Sequence, residues 1–176
     1  MNIALRQEKE REYKLSEGVV EEAFIGAEYS DHKEQYLVAS LRRSDAFVPE
    51  LSIVAEADEN IVGHIMLTKL IIKNDESSYE SLALAPVSVL PRYQNQGIGS
   101  LLIIEGLEIA RELGFKSVIV LGHDKYYPRF GFKPASSWGI NAPFNVPDRN
   151  FMALELESGS LDNVSGVVVY PKEFLE

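Results

Sequence analysis

The chain contains no cysteine, which excludes disulfides, thiolate metal sites and a cysteine nucleophile. Any thiol in its chemistry must arrive with a cofactor. Histidine is scarce: His32, His64 and His123 stand far apart, without H-E-x-x-H or comparable ligand spacing, so no metal is expected. Basic residues number 17 against 27 acidic ones, a net charge of −10 over 176 residues. That balance opposes nonspecific attachment to nucleic acid and mildly favours amine ligands, although an ordinary soluble surface reads the same way. No apolar run approaches the roughly 20 residues of a membrane-spanning helix. The charged start, Met1 to Glu10, lacks the apolar core of a signal peptide. A cytoplasmic protein with no membrane or nucleic-acid partner is the expectation. With no linker, repeat or low-complexity tract, residues 1–176 read as a single domain with one core.

What is present centres on Leu84 to Leu113, where an apolar strand runs through glycines into a helix. Ile98, Leu101, Leu102, Ile109, Ala110 and Leu113 recur at three- and four-residue steps, and Gly114 reads as a left-handed stop. No Ser, Thr or Asp occupies the usual capping position. Gly97 and Gly99 keep side chains away from the first-turn amides, which are donors at the positive end of the helix dipole. Such an end suits a pyrophosphate. On the glycines alone, Asn95 or Gln96 capping a tight strand-to-helix turn explains the pattern equally well. A Rossmann fingerprint needs a third glycine where Leu102 stands, and a Walker A loop needs a lysine that is absent, so a nucleotide-binding domain ranks last.

The spelling Gln94-x-x-Gly97-x-Gly99 resembles the Q/R-x-x-G-x-G/A acyl-CoA pyrophosphate loop of the GNAT superfamily of N-acetyltransferases. A second block, Val120 to Phe132, is similar to the tyrosine-to-Gly-Phe signature that follows the next strand in that family. The phrases Leu84-Ala-Pro-Val-Ser-Val-Leu-Pro91 and Tyr126-Tyr-Pro-Arg-Phe-Gly-Phe132 resemble the YhbS-type branch in particular. The specific likeness covers about residues 82 to 134.

The resemblance implies an α/β (α+β) fold: a GNAT-like mixed, mostly antiparallel central sheet with a splayed parallel strand pair and flanking helices. It implies acetyl-CoA as acyl donor, held by Val87, Ser88 and Val89 along the pantetheine arm and by Gln94, Asn95, Gln96, Gly97, Ile98, Gly99 and Ser100 at the diphosphate. It implies direct transfer to a primary amine in a ternary complex, with Tyr127, four residues before Gly131, as general acid. The alternative is a catalytically silent acyl-CoA-binding sensor or interaction module.

Taken in order, Ile3 to Gln7 reads as a strand, Tyr13 to Ala27 as an amphipathic helix, and Asp31 to Arg43 as a second helix. Asp31 is its expected cap, with Tyr36, Leu37, Ser40 and Leu41 on one face. By resemblance these helices border the acceptor pocket. Leu51 to Ala57 and Ile61 to Ile72 read as a hairpin about Asp58 to Asn60. Ser81 to Val89 follows as the central strand, where Pro86 deletes a ladder donor and predicts a bulge or a free side. Ser117 to Leu121 closes a parallel crossover. A helical turn at Tyr126 to Phe130, strands at Gly131 to Pro134, Phe151 to Glu157 and Val167 to Tyr170, and a long loop from Ala135 to Arg149 complete the reading. The carboxyl-terminal strands leave a homodimer open.

Acyl transfer to an amine needs a neutral amine, a donor for the carbonyl oxygen and a proton for the thiolate. A backbone N–H near Val87 to Val89 is the oxyanion candidate. Glu80, Ser88, His123 and water all stand as candidate bases. Arg92 and Arg129 could pair with phosphate, Arg129 reading rather as surface charge, and Trp138 reads as packing with a place lining the acceptor site as the alternative.

Overall fold

The computed structural model describes residues 2–176. Its strands are β1 (Ile3–Gln7), β2 (Ser52–Ala57), β3 (Asn60–Lys73), β4 (Ser78–Val89), β5 (Ser117–Leu121), β6 (Lys133–Pro134), β7 (Ile140–Asn141), β8 (Phe151–Glu155) and β9 (Gly166–Val169). Its α-helices are α1 (Tyr13–Phe24), α2 (Glu34–Arg42) and α3 (Ile98–Glu112). The sheet order is β1-β2-β3-β4-β5-β8-β6, with β9 pairing β3 and β7. Most pairs are antiparallel, while β4–β5 is parallel. This is the expected mixed α/β fold. The described residues form two compact units, one comprising residues 2–68, Ala85–Ile109 and Lys172–Glu176, the other Lys69–Leu84 and Ala110–Pro171.

In the first unit, β2 and β3 join through Asp58 and Glu59, both at positive φ (51° and 67°). That is the type I′ geometry whose twist matches a hairpin. From Val62 to Thr68, β3 is buried on both faces, which explains its mostly apolar run. Met66 packs with Val20, Val38 and Leu41 of α1 and α2. On α3, Gly106 lies against Leu67, Ile65 and Ile53.

The second helix differs from its sequence reading. It begins at Glu34, and its buried residues are Gln35, Val38 and Leu41, whereas Tyr36 is 66% exposed. The packed stripe centres on Val38, which meets Met66 and Val20; of the expected face, Leu41 is buried and Leu37 packs against the same cluster, while Tyr36 turns outward. Asp31 does not cap the helix. Its carboxylate accepts the Lys33 N–H (2.9 Å) in a preceding turn. Similarly α1 stops at Phe24, and Ala27 lies in the turn beyond it.

A buried polar network ties this unit together. Arg42 donates to Glu8 (2.5 Å) and to Glu17 (2.7 Å), and its guanidinium lies 4.1 Å from the Tyr13 ring centre. Ser52 Oγ donates to Glu8 Oε1 (2.7 Å) and sits 2.9 Å from Nε2 of the fully buried His64. With the Ser52 proton committed to Glu8, Nε2–H of His64 is the donor in that pair. Burial, reinforced by the Arg42 charge, pushes the His64 pKa down to about 3.

In the second unit, α3 ends in a Schellman motif: Phe115 N–H donates to Ala110 O and Gly114 N–H to Arg111 O, with Gly114 at φ 91°. The β4–β5 ladder consists of Leu82↔Val118 and Ala83↔Ile119. Strand β4 starts at Ser78, three residues before the expected start, and the buried Ser81 and Ser117 hydroxyls meet at 2.7 Å. The expected loop from Ala135 to Arg149 instead carries a 3-10 turn (Ala135–Trp138) and β7, which pairs in parallel with β9. A two-residue strand leaves no periodicity to read. No helix among the described residues is long and apolar enough to cross a membrane.

Candidate active site

The first unit holds Val87, Ser88 and Val89 together with the whole glycine loop. Beyond Ala83, β4 continues through a cis Ala85–Pro86 bond to Val89. Pro86 and Ser88 point inward and are buried, while Val87 and Val89 are half-exposed. The Ser88 hydroxyl has no hydrogen-bond partner. Leu90 N–H is anchored on Val62 O (2.8 Å), and the 3-10 turn Pro91–Tyr93 leads into the loop.

The loop turns through Asn95 (φ 61°) and Gly97 (φ 84°), the second of which favours glycine. A Cβ on Gly97 would meet nothing within 4 Å, so the requirement is conformational and the surrounding space is open. Leu101 N–H donates to Gly97 O (3.1 Å) in the first turn of α3. The N–H groups of Ile98 and Gly99 therefore lie ahead of any intrahelical acceptor, with Ser100 in the same turn. The side-chain amides are turned backwards: Gln94 donates to Val89 O (2.9 Å) and Gln96 to Arg92 O (3.3 Å). The Gln96 amide thus braces the turn before the helix. Arg92 stands beside this turn with its guanidinium 5.3 Å from the Tyr93 ring centre.

The second unit holds Tyr127, on a 3-10 turn (Tyr127–Phe130) that follows β5. Its amide and that of Tyr126 both donate to His123 O (3.3 and 3.1 Å). Edge-to-face contacts with Tyr126 (5.1 Å) and Phe132 (5.7 Å) fix the ring. Burial, with a smaller contribution from Tyr126, pushes the Tyr127 phenol up to about 12. It is a proton donor throughout the neutral range.

Gly122 makes this placement possible. A Cβ there would lie 2.2 Å from Cε2 of Tyr127, far inside van der Waals contact. In the sequence, the signal for Gly122 is a glycine at a strand end with an aromatic five residues later. Of the candidate bases, Glu80 and His123 are exposed and Ser88 is buried. Arg129 stacks on Tyr126 (4.6 Å) and donates to its carbonyl (3.0 Å), a local structural contact. Trp138 is half-buried at the end of its turn. A cavity of about 190 Å³ opens on α2, lined in part by Asp31, Glu34, Tyr36, Leu37 and Phe174.

The mixed sheet with its parallel β4–β5 pair and, separately, the glycine-opened start of α3 are features of an acyltransferase fold. The chain belongs to the acetyltransferase (GNAT) family, whose pattern it matches over residues 15–132. It is 42% identical over 119 residues to the uncharacterized N-acetyltransferase YjhQ of Escherichia coli K12, a match covering 67% of this chain and 66% of that one. A GNAT family acetyltransferase from Brucella melitensis, solved in complex with acetyl-CoA, is 33% identical with a TM-score of 0.81 and 98% coverage of both chains. YhbS from Escherichia coli, solved in complex with CoA, shares the fold with a TM-score of 0.89 at 24% identity, covering 100% of this chain and 93% of that one.

Proposed function

We propose that residues 1–176 act as one acetyltransferase domain that moves the acetyl group of acetyl-CoA directly to a primary amine. The observation that carries this reading is the start of α3, where open space surrounds Gly97 and the Ile98 and Gly99 amides belong to the first turn, whose N–H groups lack intrahelical acceptors. Those amides suit the diphosphate, and the half-exposed edge at Val87 and Val89 suits the amides of the pantetheine arm.

In the reaction, the neutral amine attacks the thioester carbonyl and forms the C–N bond. A backbone N–H at Val87 to Val89 holds the oxyanion, and collapse breaks the C–S bond. Tyr127 donates its phenolic hydrogen to the departing thiolate. A phenol at about 12 is a firm hydrogen-bond donor, while complete transfer to a thiol of ordinary pKa, about 8.5, runs uphill. The phenol therefore stabilises the thiolate as it forms, and any phenoxide left behind is reprotonated by the proton that the amine gives up. The amine's proton leaves to Glu80, Ser88, His123 or water.

The absence of cysteine fits a cytoplasmic setting, and the acidic surface fits an amine acceptor. Titration calorimetry with acetyl-CoA tests the diphosphate site: tight binding is expected in the native chain and lost in Gly99→Glu, and unchanged binding in that variant overturns the assignment. Thiol release with spermidine, kanamycin, free amino acids and lysine peptides tests turnover. Binding without release from any of these would support the sensor reading instead.

A further inference from the structure

We infer that Asn150 is a positioning residue for the phenol of Tyr127, acting through Gly122. This inference rests on the proposed role of Tyr127 as general acid.

The β5–β8 ladder runs in register to Leu121↔Phe151, so Gly122 and Asn150 are the next facing pair. One half of that rung is ordinary, with Gly122 N–H donating to Asn150 O (2.9 Å). The other half is not. The Asn150 N–H donates to Pro147 O (2.9 Å) within the 3-10 turn Asp148–Asn150, so it is unavailable to the ladder. The Asn150 side chain takes its place, Nδ2 donating to Gly122 O (3.0 Å). Asparagine supplies an amide of peptide-like geometry where the backbone amide has been diverted.

This substitution holds both polar groups of Gly122, the residue whose missing Cβ admits the Tyr127 ring. The next carbonyl, that of His123, accepts the Tyr126 and Tyr127 amides. A path of short contacts thus runs from the start of β8 through the last rung to the phenol. Rotating the Gly122 peptide would shift both the wall against the ring and the carbonyl under its backbone. A neighbouring ion pair, Arg149 with Asp124 at 3.7 Å, spans the same two turns but is too exposed to hold them alone.

The experiment is a double-variant cycle with acetyl-CoA and whichever amine of the panel above releases thiol fastest. Asn150→Ala, and the isosteric Asn150→Asp that lacks the donor, should each lower kcat about tenfold or more with KM for acetyl-CoA nearly unchanged. In a Tyr127→Phe background the same changes should have almost no further effect, because no phenol is left to place. Losses that multiply through in the double variant, or kcat unchanged in both single variants, overturn the inference. If Tyr127→Phe by itself leaves kcat intact, the general-acid reading has failed instead. A crystal structure of Asn150→Asp gives a measure independent of any acceptor: a displaced Tyr127 ring is expected, and a ring in its native position overturns the inference.

Discussion

At the scale of single residues, the phenol of Tyr127 and the imidazole of His64 are both buried, with opposite consequences for pH. Replacing Tyr127 with Phe keeps the ring contacts to Tyr126 and Phe132 and removes only the hydroxyl. Steady-state kinetics should show kcat lowered about 100-fold or more with acetyl-CoA affinity retained. Because the phenol is raised to about 12, the native rate should climb as the amine loses its proton and not be cut off near pH 10. A downturn at pH 10 that Tyr127→Phe abolishes would contradict this. His64 has a folded pKa of about 3 against an unfolded value of about 6.5, so between those limits the unfolded chain binds the extra proton. Its contribution to stability is fully present above about pH 6.5 and is lost as pH falls toward 3. Thermal melts should show Tm falling below pH 6.5 in the native chain and falling less steeply in His64→Gln.

At the scale of elements, α3 was legible because its signals are local. The apolar spacing and Gly114 lie within one segment, and the structure adds only which apolar residues face outward: Leu101, Ile104 and Leu113 are each more than 40% exposed. Gly114 at φ 91° has open space where a Cβ would go, so Gly114→Ala should lower stability by about 1 to 2 kcal/mol through backbone strain alone. Urea unfolding would measure it, with an unchanged slope expected. By contrast, the buried stripe of α2 depends on Met66 and Val20, which are distant in sequence. The same holds for the candidate site. The diphosphate loop is a contiguous phrase, whereas the rung that joins Gly122 to Asn150 spans 28 positions and uses a side chain in place of a backbone amide. Nothing in the spelling around Asn150 signals that its own N–H is engaged elsewhere.

At the scale of the whole molecule, ligand binding and folding are linked. A ligand that binds only the native chain stabilises it by about 2.7 kcal/mol at a hundred times its dissociation constant. Acetyl-CoA should therefore raise Tm by several degrees, ATP and NAD should not, and Gly99→Glu should abolish the rise. Equal shifts with all three would point to generic phosphate binding. The net charge of −10 sets the solution behaviour of the chain but says nothing of which amine is acetylated.

The Arg42 network has a bearing on how such a protein diversifies. With Glu8, Glu17, Ser52 and His64 gathered around it, the sheet-facing sides of α1 and α2 are pinned by partners that must change together or not at all. Residues 25–33 between those helices carry no such obligation, and Ile25 and Tyr29 are 68% and 91% exposed. A randomised library confined to that connection should yield mostly folded proteins, while one aimed at the pinned residues should yield mostly insoluble chains.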